Sequence, residues 1–227
     1  MECVVVSLGG SVLVPGDGDL AYLQELAARL RSLSGEFGLV LVCGGGRVAR
    51  YYISNCRKLG ASRDRQDRLG IEITRLNARL VQLALGDAAS PIIPTTIKRA
   101  TQELAKGRIV VMGGTTPGHT TDAVSAMVAE AVKATRIVNA TSVQAAYTAD
   151  PKKYSDAKRL REISHKQLFD LVNRGLHSAG PSDVFDKKGA YIAMRTNIPL
   201  YIVHGRDLDD LINAVRGEKV KGTVVRN

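Results

Sequence analysis

Glycines placed directly after apolar runs are the residues of this chain with the clearest chemical potential. Glycine permits tight turns and lets backbone amides approach an anion closely, and a helix that follows adds its positive N-terminal end. Four strand-length runs end this way, in Gly9-Gly10-Ser11, Gly44-Gly45-Gly46, Gly113-Gly114-Thr115 and His204-Gly205. The joint pattern predicts several phosphate groups held side by side beyond the carboxyl ends of parallel strands.

The third glycine turn opens a longer polar loop that reaches Asp122. Pro117 and Gly118 predict a fixed turn, and the threonines with an acid beyond them predict a helix start. Thr120 or Thr121 could cap that helix. The same run of hydroxyl and amide donors could bind a phosphate ester and a base or ribose, which is the interpretation we favour.

Two familiar phosphate motifs do not account for these turns. The chain has no GxxxxGK[ST] sequence, so it is not a P-loop kinase. The segment Gly44-x-Gly46-x-x-Ala49 fits a loose dinucleotide fingerprint, which also needs an acidic residue at a strand end about 20 positions on. Asp64 has that spacing but lies in the charged stretch 63–68, so a dinucleotide site is disfavoured.

The elements that must position these turns alternate between strand and helix. The apolar runs are rich in Val and Ile and do not alternate with polar residues, as in parallel strands buried on both faces. These runs are Cys3–Leu8, Leu39–Cys43, Ile109–Met112, Arg136–Asn139 and Leu200–Val203. Helical stripes lie between them, so we expect an α/β fold, a three-layer αβα sandwich with a mainly parallel central sheet.

One helical stripe has two possible explanations. Leucine and isoleucine recur in steps of three and four at positions 69, 73, 76, 80 and 83. Such a stripe packs into a protein core in most helices, but its coiled-coil-like spacing also fits a subunit interface.

The composition and charge of the chain limit the classes of molecule that it is expected to bind. The 227 residues carry a net charge of +10, and between Arg47 and Arg79 basic residues outnumber acidic ones nine to three. A basic surface can be a solvated face, or can attract a nucleotide or a nucleic acid. The chain has no Trp and no recognisable nucleic-acid motif, so nucleic acid is the less expected partner. No apolar run reaches the roughly 20 residues of a membrane-spanning helix, and we expect a cytoplasmic protein without membrane partners.

Five ordered motifs resemble the amino-acid kinase superfamily and, within it, the archaeal-type UMP kinases. The likeness covers nearly the whole chain. The matching segments are Gly9-Gly10-Ser11, Gly44 to Arg50, Asp67 with Gly70 to Ala78, Gly113 to Ala123, and Tyr147 to Lys153.

This resemblance implies a single amino-acid kinase domain over residues 1–227 that transfers the γ-phosphoryl group of ATP to UMP in pyrimidine nucleotide biosynthesis. Residues from about 1 to 134 would mainly bind UMP and phosphate, and those from about 135 to 227 mainly the ATP nucleoside. The family is usually a homohexamer built from dimers. It uses Mg²⁺, which would enter with ATP, and we expect no metal site made by the protein alone.

The resemblance also implies roles for individual positions. The UMP site would comprise Gly45, Asp67, Thr115, Thr116, Pro117, Gly118, His119, Thr120 and Thr121. The ATP site would comprise Gly10, Ser11, Gly46, Arg50, Thr141, Ser142, Tyr147 and Asp150. The residues expected to act in catalysis are Gly9, Gly10, Arg50, Asp122 and Lys153.

The chain departs from the family pattern at two places. Ser7 stands where many relatives carry a charged residue before the first glycine turn, so a cation must come from Lys152, Lys153 or Arg50. Gln144 and Ala145 replace a common Asp-Gly turn near the expected ATP site.

A UMP phosphate is already ionised near neutral pH, so catalysis needs alignment and charge stabilisation rather than a general base. Asp122 would orient donors or water, or would only cap a helix, and His119 would donate to a phosphate or serve as a turn residue. The alternatives for the whole chain are an enzyme like isopentenyl phosphate kinase, a non-catalytic nucleotide-binding regulator, and an RNA-binding protein. The first lacks support because Cys43, not His, precedes the glycine triplet.

Overall fold

A computed structural model of the chain describes residues 1–14, 19–149, 154–173 and 184–227. Its strands are β1 (Glu2–Leu8), β2 (Phe37–Cys43), β3 (Val110–Met112), β4 (Arg136–Thr141), β5 (Ala146–Tyr147), β6 (Arg159–Leu160), β7 (Glu162–Ile163), β8 (Leu200–His204) and β9 (Thr223–Val225). Its α-helices are α1 (Gly10–Leu13), α2 (Asp19–Leu33), α3 (Gly46–Lys58), α4 (Arg63–Leu85), α5 (Ile97–Leu104), α6 (Thr121–Ala131), α7 (His165–Asn173), α8 (Lys187–Thr196) and α9 (Leu208–Arg216). A short 3₁₀ turn, Gly86–Ala88, follows α4.

The main sheet has seven strands in the order β3-β2-β1-β4-β8-β9-β7. The five predicted strands form its parallel part, with β1 paired to β2 on one side and to β4 on the other. Strand β9 runs antiparallel to β8, and β5 pairs with β6 in a separate small ribbon. All five predicted strands are therefore confirmed, with ends shifted by at most two residues.

Both faces of the sheet are buried under helices. On β1, Val4, Val6 and Leu8 point into one apolar cluster, which α2, α4 and α9 cover. Val5 points into the other cluster, which α5, α6, α7 and α8 cover. Because central parallel strands are apolar on both faces, they need a helical layer on each side. The predicted αβα sandwich is confirmed.

Helix α4 buries a different face from the one that its leucines mark. The face packed inward carries small and polar residues, such as Gly70, Thr74 and Asn77, together with the apolar Val81 and Leu85. Leu76 and Leu83 are 64% and 71% exposed, and Leu80 is 42% exposed. Core packing is therefore the wrong explanation for these leucines within the single chain.

Helix α2 is tied to the turn after β8 by Tyr22. Its hydroxyl donates to the carbonyl oxygen of Gly205 at 2.8 Å, and the guanidinium of Arg206 lies 4.5 Å from the ring centroid. Burial raises the pKa of the Tyr22 phenol, so the hydroxyl keeps the proton that it donates.

Two further properties concern the helices and the cysteines. Among the described residues, no helix combines the length and the apolar character needed to cross a membrane. The three cysteines are free thiols; Cys43 is buried, and burial raises the pKa of its thiol. It is therefore a packing residue rather than a nucleophile.

Candidate active site

The glycine turns meet at one edge of the sheet. The amide of Gly44 donates to the Leu8 carbonyl, and the amide of Gly9 donates to the Ala140 carbonyl, both at 2.8 Å. The amide of Gly205 donates to the Thr141 carbonyl, also at 2.8 Å. The turns after β1, β2 and β8 thus lie side by side at the carboxyl ends of parallel strands, as the sequence predicts.

The first two turns pack backbone against backbone. A Cβ atom at Gly10 would lie 2.2 Å from the Gly46 nitrogen, and one at Gly46 would lie 2.4 Å from the Gly10 carbonyl carbon. Gly46 also has φ of +61°, a left-handed conformation that residues with side chains rarely adopt. Only glycine allows both turns to occupy this space, so the starts of α1 and α3 are held together.

Side chains of helix α4 form hydrogen bonds with the backbones of two glycine turns. The hydroxyl of Thr74 accepts a hydrogen bond from the Gly114 amide at 2.7 Å and donates to the Ile71 carbonyl at 2.6 Å. The side-chain amide of Asn77 donates to the Gly44 carbonyl at 2.8 Å. Thr74 and Asn77 are buried, and their polar groups replace water as partners of the turn backbones.

The N-terminal half of α4 also fixes the threonine-rich loop. Arg75 donates from its guanidinium to the carbonyl oxygens of Gly114 and Thr115, each at 3.1 Å. The carboxylate of Asp67 accepts a hydrogen bond from the Gly118 amide at 2.9 Å. The loop is therefore positioned by side chains from a helix about 40 residues earlier in the sequence.

These elements enclose a cleft of about 360 Å³. Eight of the predicted site residues line it: Gly45, Gly46, Arg50, Asp67, Gly118, His119, Thr120 and Thr121. Ile53, Arg63, Gly70, Ile71 and Thr74 also line it. Apolar side chains thus form part of its wall, together with the cations Arg50 and Arg63 and the glycine turns, as in pockets for a phosphorylated small molecule.

The first glycine turn adjoins this cleft through Arg50, whose guanidinium donates to the Ser11 hydroxyl at 3.2 Å. Gly9 and Gly10 lie in the same turn. Thr115, Thr116 and Pro117 are in the loop above but are not among the lining residues.

Ser7 and Asp122 contact each other, although 115 positions separate them in the sequence. The Ser7 hydroxyl donates to the Asp122 carboxylate at 3.0 Å, and Ser7 is buried. Thr120, not Asp122, caps α6, because its side chain accepts from the Ala123 amide at 3.1 Å. Capping as the role of Asp122 was therefore the wrong alternative, and capping by Thr120 is confirmed.

Both ring nitrogens of His119 have partners. Nδ1 lies 3.1 Å from the Thr116 hydroxyl, and Nε2 contacts the ammonium of Lys188. An ammonium can only donate, so Nε2 accepts and Nδ1 carries the proton in this arrangement. His119 therefore has no free N–H for a phosphate while Lys188 remains bound to it.

Fewer contacts connect the residues predicted for the ATP nucleoside with the glycine turns. Thr141 ends β4 beside Gly9, whose Cβ position would be 3.6 Å from the Thr141 Cα. Ser142 follows it in an exposed turn, and Tyr147 lies in β5. Asp150, Lys152 and Lys153 lie outside the described residues.

Thr74, Arg75 and Asn77 lie in one of the five motifs, but the sequence alone predicted no role for them. Their spacing could have indicated such a role. Together with Asp67, Gly70 and Ile71, they recur at helical intervals on the side of α4 that faces the glycine turns. A buried Thr and Asn on such a side indicate partners that are themselves polar and buried. Lys188 and Asp186 gave no comparable signal.

The described residues contain no group of three or more His, Cys, Asp or Glu side chains able to hold a metal ion. Mg²⁺ usually takes one or two carboxylates together with substrate phosphates and water. The Asp122 carboxylate could be one such ligand, so the site suits a metal that arrives with a nucleotide.

Replacing Gly10 with Ala tests the close packing of the two turns. We expect Gly10→Ala to lower the free energy of unfolding by about 1–3 kcal/mol, because the Gly46 backbone must move. Gly35→Ala is the matched control, since a Cβ there has nothing within 4 Å. Urea unfolding measures both. Equal midpoints for the two variants would contradict the packing argument.

Comparison with known proteins agrees with the fold. The model of the amino acid kinase family matches residues 2–204. Uridylate kinase from Methanobrevibacter smithii is 40% identical over 222 residues, 98% of each chain, and uridylate kinase from Methanoculleus marisnigri is 43% identical over 225 residues, 99% of this chain and 96% of its own. The crystal structure of uridylate kinase from Archaeoglobus fulgidus has a TM-score of 0.88 and 40% identity, covering 99% of this chain and all of its own. The chain belongs to the amino acid kinase family and groups within it with these archaeal relatives.

Proposed function

We propose that this protein is a nucleoside monophosphate kinase that transfers the γ-phosphoryl group of ATP to UMP, giving ADP and UDP, a step of pyrimidine nucleotide biosynthesis. The observation that carries the proposal is the shared edge at which the glycine turns meet, with a cleft on one side of it. The uridylate kinase relatives supply the identity of the acceptor.

The cleft between α4 and the threonine-rich loop is proposed as the UMP site. Gly45 and Thr121 would lie near the phosphate, and Asp67 would accept hydrogen bonds from the ribose. Thr115 to Thr120 would surround the nucleoside. Asp67 already accepts from the Gly118 amide, so its carboxylate is held in place before UMP arrives.

The ATP phosphates are proposed to lie over Gly9, Gly10 and Ser11, with Gly46 and Arg50 on the acceptor side. Thr141, Ser142, Tyr147 and Asp150 would contact the nucleoside. Residues 1–134 would thus serve mainly the acceptor and the phosphates, and residues 135–227 mainly the ATP nucleoside. The adjacency of Gly9 to Thr141 supports this arrangement.

The proposed reaction forms a bond from a UMP phosphate oxygen to the γ-phosphorus and breaks the bond from that phosphorus to the β–γ bridging oxygen. No proton must be removed from an ionised phosphate, so the protein has to align two anions and offset their repulsion. Backbone amides of the glycine turns and the Arg50 guanidinium would offset the negative charge that develops in the transition state. Mg²⁺, when bound with ATP, would neutralise phosphate charge, with Asp122 as the nearby carboxylate.

The direct test is ADP formation with a panel of nucleoside monophosphates and isopentenyl phosphate. We expect UMP to give the highest kcat/KM, because the loop and Asp67 recognise a nucleoside beyond its phosphate. A preference for isopentenyl phosphate, or nucleotide binding without turnover, would support an alternative enzyme or a regulator and contradict the proposal.

Arg50→Ala tests the cation shared by the two phosphate sites. We expect kcat/KM for UMP to fall by an amount equivalent to about 2–4 kcal/mol, the usual loss for a charged transition-state contact. Arg57→Ala, on the same helix near its C-terminal end, is the control. Steady-state kinetics measures both, and unchanged kinetics in a folded Arg50→Ala protein would refute the role.

The exposed leucines of α4 support self-association. Leu76, Leu80 and Leu83 present an apolar stripe on a long helix that contributes to one wall of the cleft. Clustered exposure of this kind commonly marks a protein interface. We infer that two copies pair through this face, and that such dimers form the expected homohexamer.

Leu83→Glu tests that interface. We expect the molar mass measured by light scattering to drop, because a desolvated carboxylate opposes pairing. Leu20→Glu is the control, since Leu20 is 70% exposed on a different helix, α2. An unchanged mass for Leu83→Glu would contradict this interface.

A cytoplasmic location completes the proposal. Three free thiols suit a reducing compartment, and ATP and UMP are cytoplasmic metabolites.

A further inference from the structure

The described lining of the cleft supplies little net positive charge for the acceptor phosphate that is proposed to bind there. Among the described lining residues, Arg50 and Arg63 are cationic and Asp67 is anionic. Arg75 lies nearby, but its guanidinium already donates to two loop carbonyls. Strand β1 contributes the neutral Ser7, which donates to the anionic Asp122.

Lys188 brings a further ammonium to this cleft. Its Nζ contacts Nε2 of His119, and His119 lines the cleft. Lys188 comes from α8 on the far side of the loop, so no sequence motif connects it with the glycine turns.

The start of α8 is fixed against the start of α6. The Thr120 hydroxyl donates to the Asp186 carboxylate, and Asp186 caps α8 by accepting from the Gly189 amide at 2.9 Å. A Cβ at Gly189 would lie 3.2 Å from the Asp122 carbonyl oxygen, so the two helices approach closely. The backbone that carries Lys188 therefore has a defined position at the cleft.

The ammonium of Lys188 is weakly compensated. Its contact among the described residues is Nε2 of His119, and it forms no ion pair with a carboxylate of the described residues. Lys188 also lies in the first turn of α8, which contains no acidic residue, so its charge opposes the helix dipole.

A phosphate would be a better partner for this ammonium than an imidazole. The exposed lysine has two further N–H donors and a flexible four-carbon stem, so it can leave His119 without moving the helix. We propose that Lys188 binds the acceptor phosphate and supplies the cation that Ser7 does not. This inference rests on the proposed phosphoryl transfer to UMP and assigns it a further residue.

The test compares Lys188→Met and Lys188→Arg with Lys187→Met in the full-length chain, using steady-state kinetics with UMP and ATP. Lys187 is the matched control because it is also an exposed lysine in the first turn of α8. We expect Lys188→Met to lower kcat/KM for UMP about 10- to 100-fold, the usual effect of losing a charged contact to a reacting group. The KM for ATP should stay within about twofold, since the residue touches the acceptor.

Two further readouts separate this role from a structural one. Lys188→Arg should restore part of the lost kcat/KM, because it keeps the charge, and Lys187→Met should match the wild type. Thermal unfolding should show that neither Met variant is less stable than the wild type, since each removes a charge that opposes the α8 dipole.

The outcomes also separate this inference from the function on which it rests. A wild-type chain that turns over UMP, with Lys188→Met indistinguishable from Lys187→Met, would overturn the role of Lys188 alone. A loss confined to the KM for ATP would overturn it as well. A wild-type chain that turns over no nucleoside monophosphate would overturn the proposed function and this inference together.

Discussion

The contact of two glycine turns without side chains is the constraint on which the site depends. Gly10 and Gly46 occupy space that a single Cβ on either would close, so the backbones after β1 and β2 come within direct contact. The starts of α1 and α3 then lie together at the carboxyl ends of adjacent parallel strands. This closeness of two glycine turns is the physical basis for proposing that more than one phosphate binds there.

Helix α4 turns that contact into a cleft. It buries Thr74 and Asn77 against the glycine turns, and it fixes the threonine-rich loop through Arg75 and Asp67. The inward side of this helix thus combines hydrogen bonds to other backbones with apolar packing through Val81 and Leu85. Leu76, Leu80 and Leu83 are left on the outside, where a second copy can cover them. One helix thereby links the geometry of the cleft to the proposed subunit interface.

The sequence predicts the parts of this architecture that depend on local pattern. Apolar runs of Val and Ile identify the parallel strands, and the glycines that end them identify the turns and their common edge. Periodicity fails on α4, because the leucine spacing marks a helix without indicating which side is buried. Contacts between distant segments, such as Ser7 with Asp122 and His119 with Lys188, follow from how α6 and α8 pack on the sheet. No local pattern encodes that packing, and Asp150 and Lys153 stay predictions.

The shared edge is proposed to hold two nucleotides with their phosphates end to end. A crystal structure of the protein with UMP and a non-hydrolysable ATP analogue tests it most directly. We expect the UMP phosphate to lie beside Gly45 and Thr121, with the triphosphate over Gly9, Gly10 and Ser11. UMP bound outside the cleft, or phosphates of the two ligands on separate faces of the sheet, would contradict it.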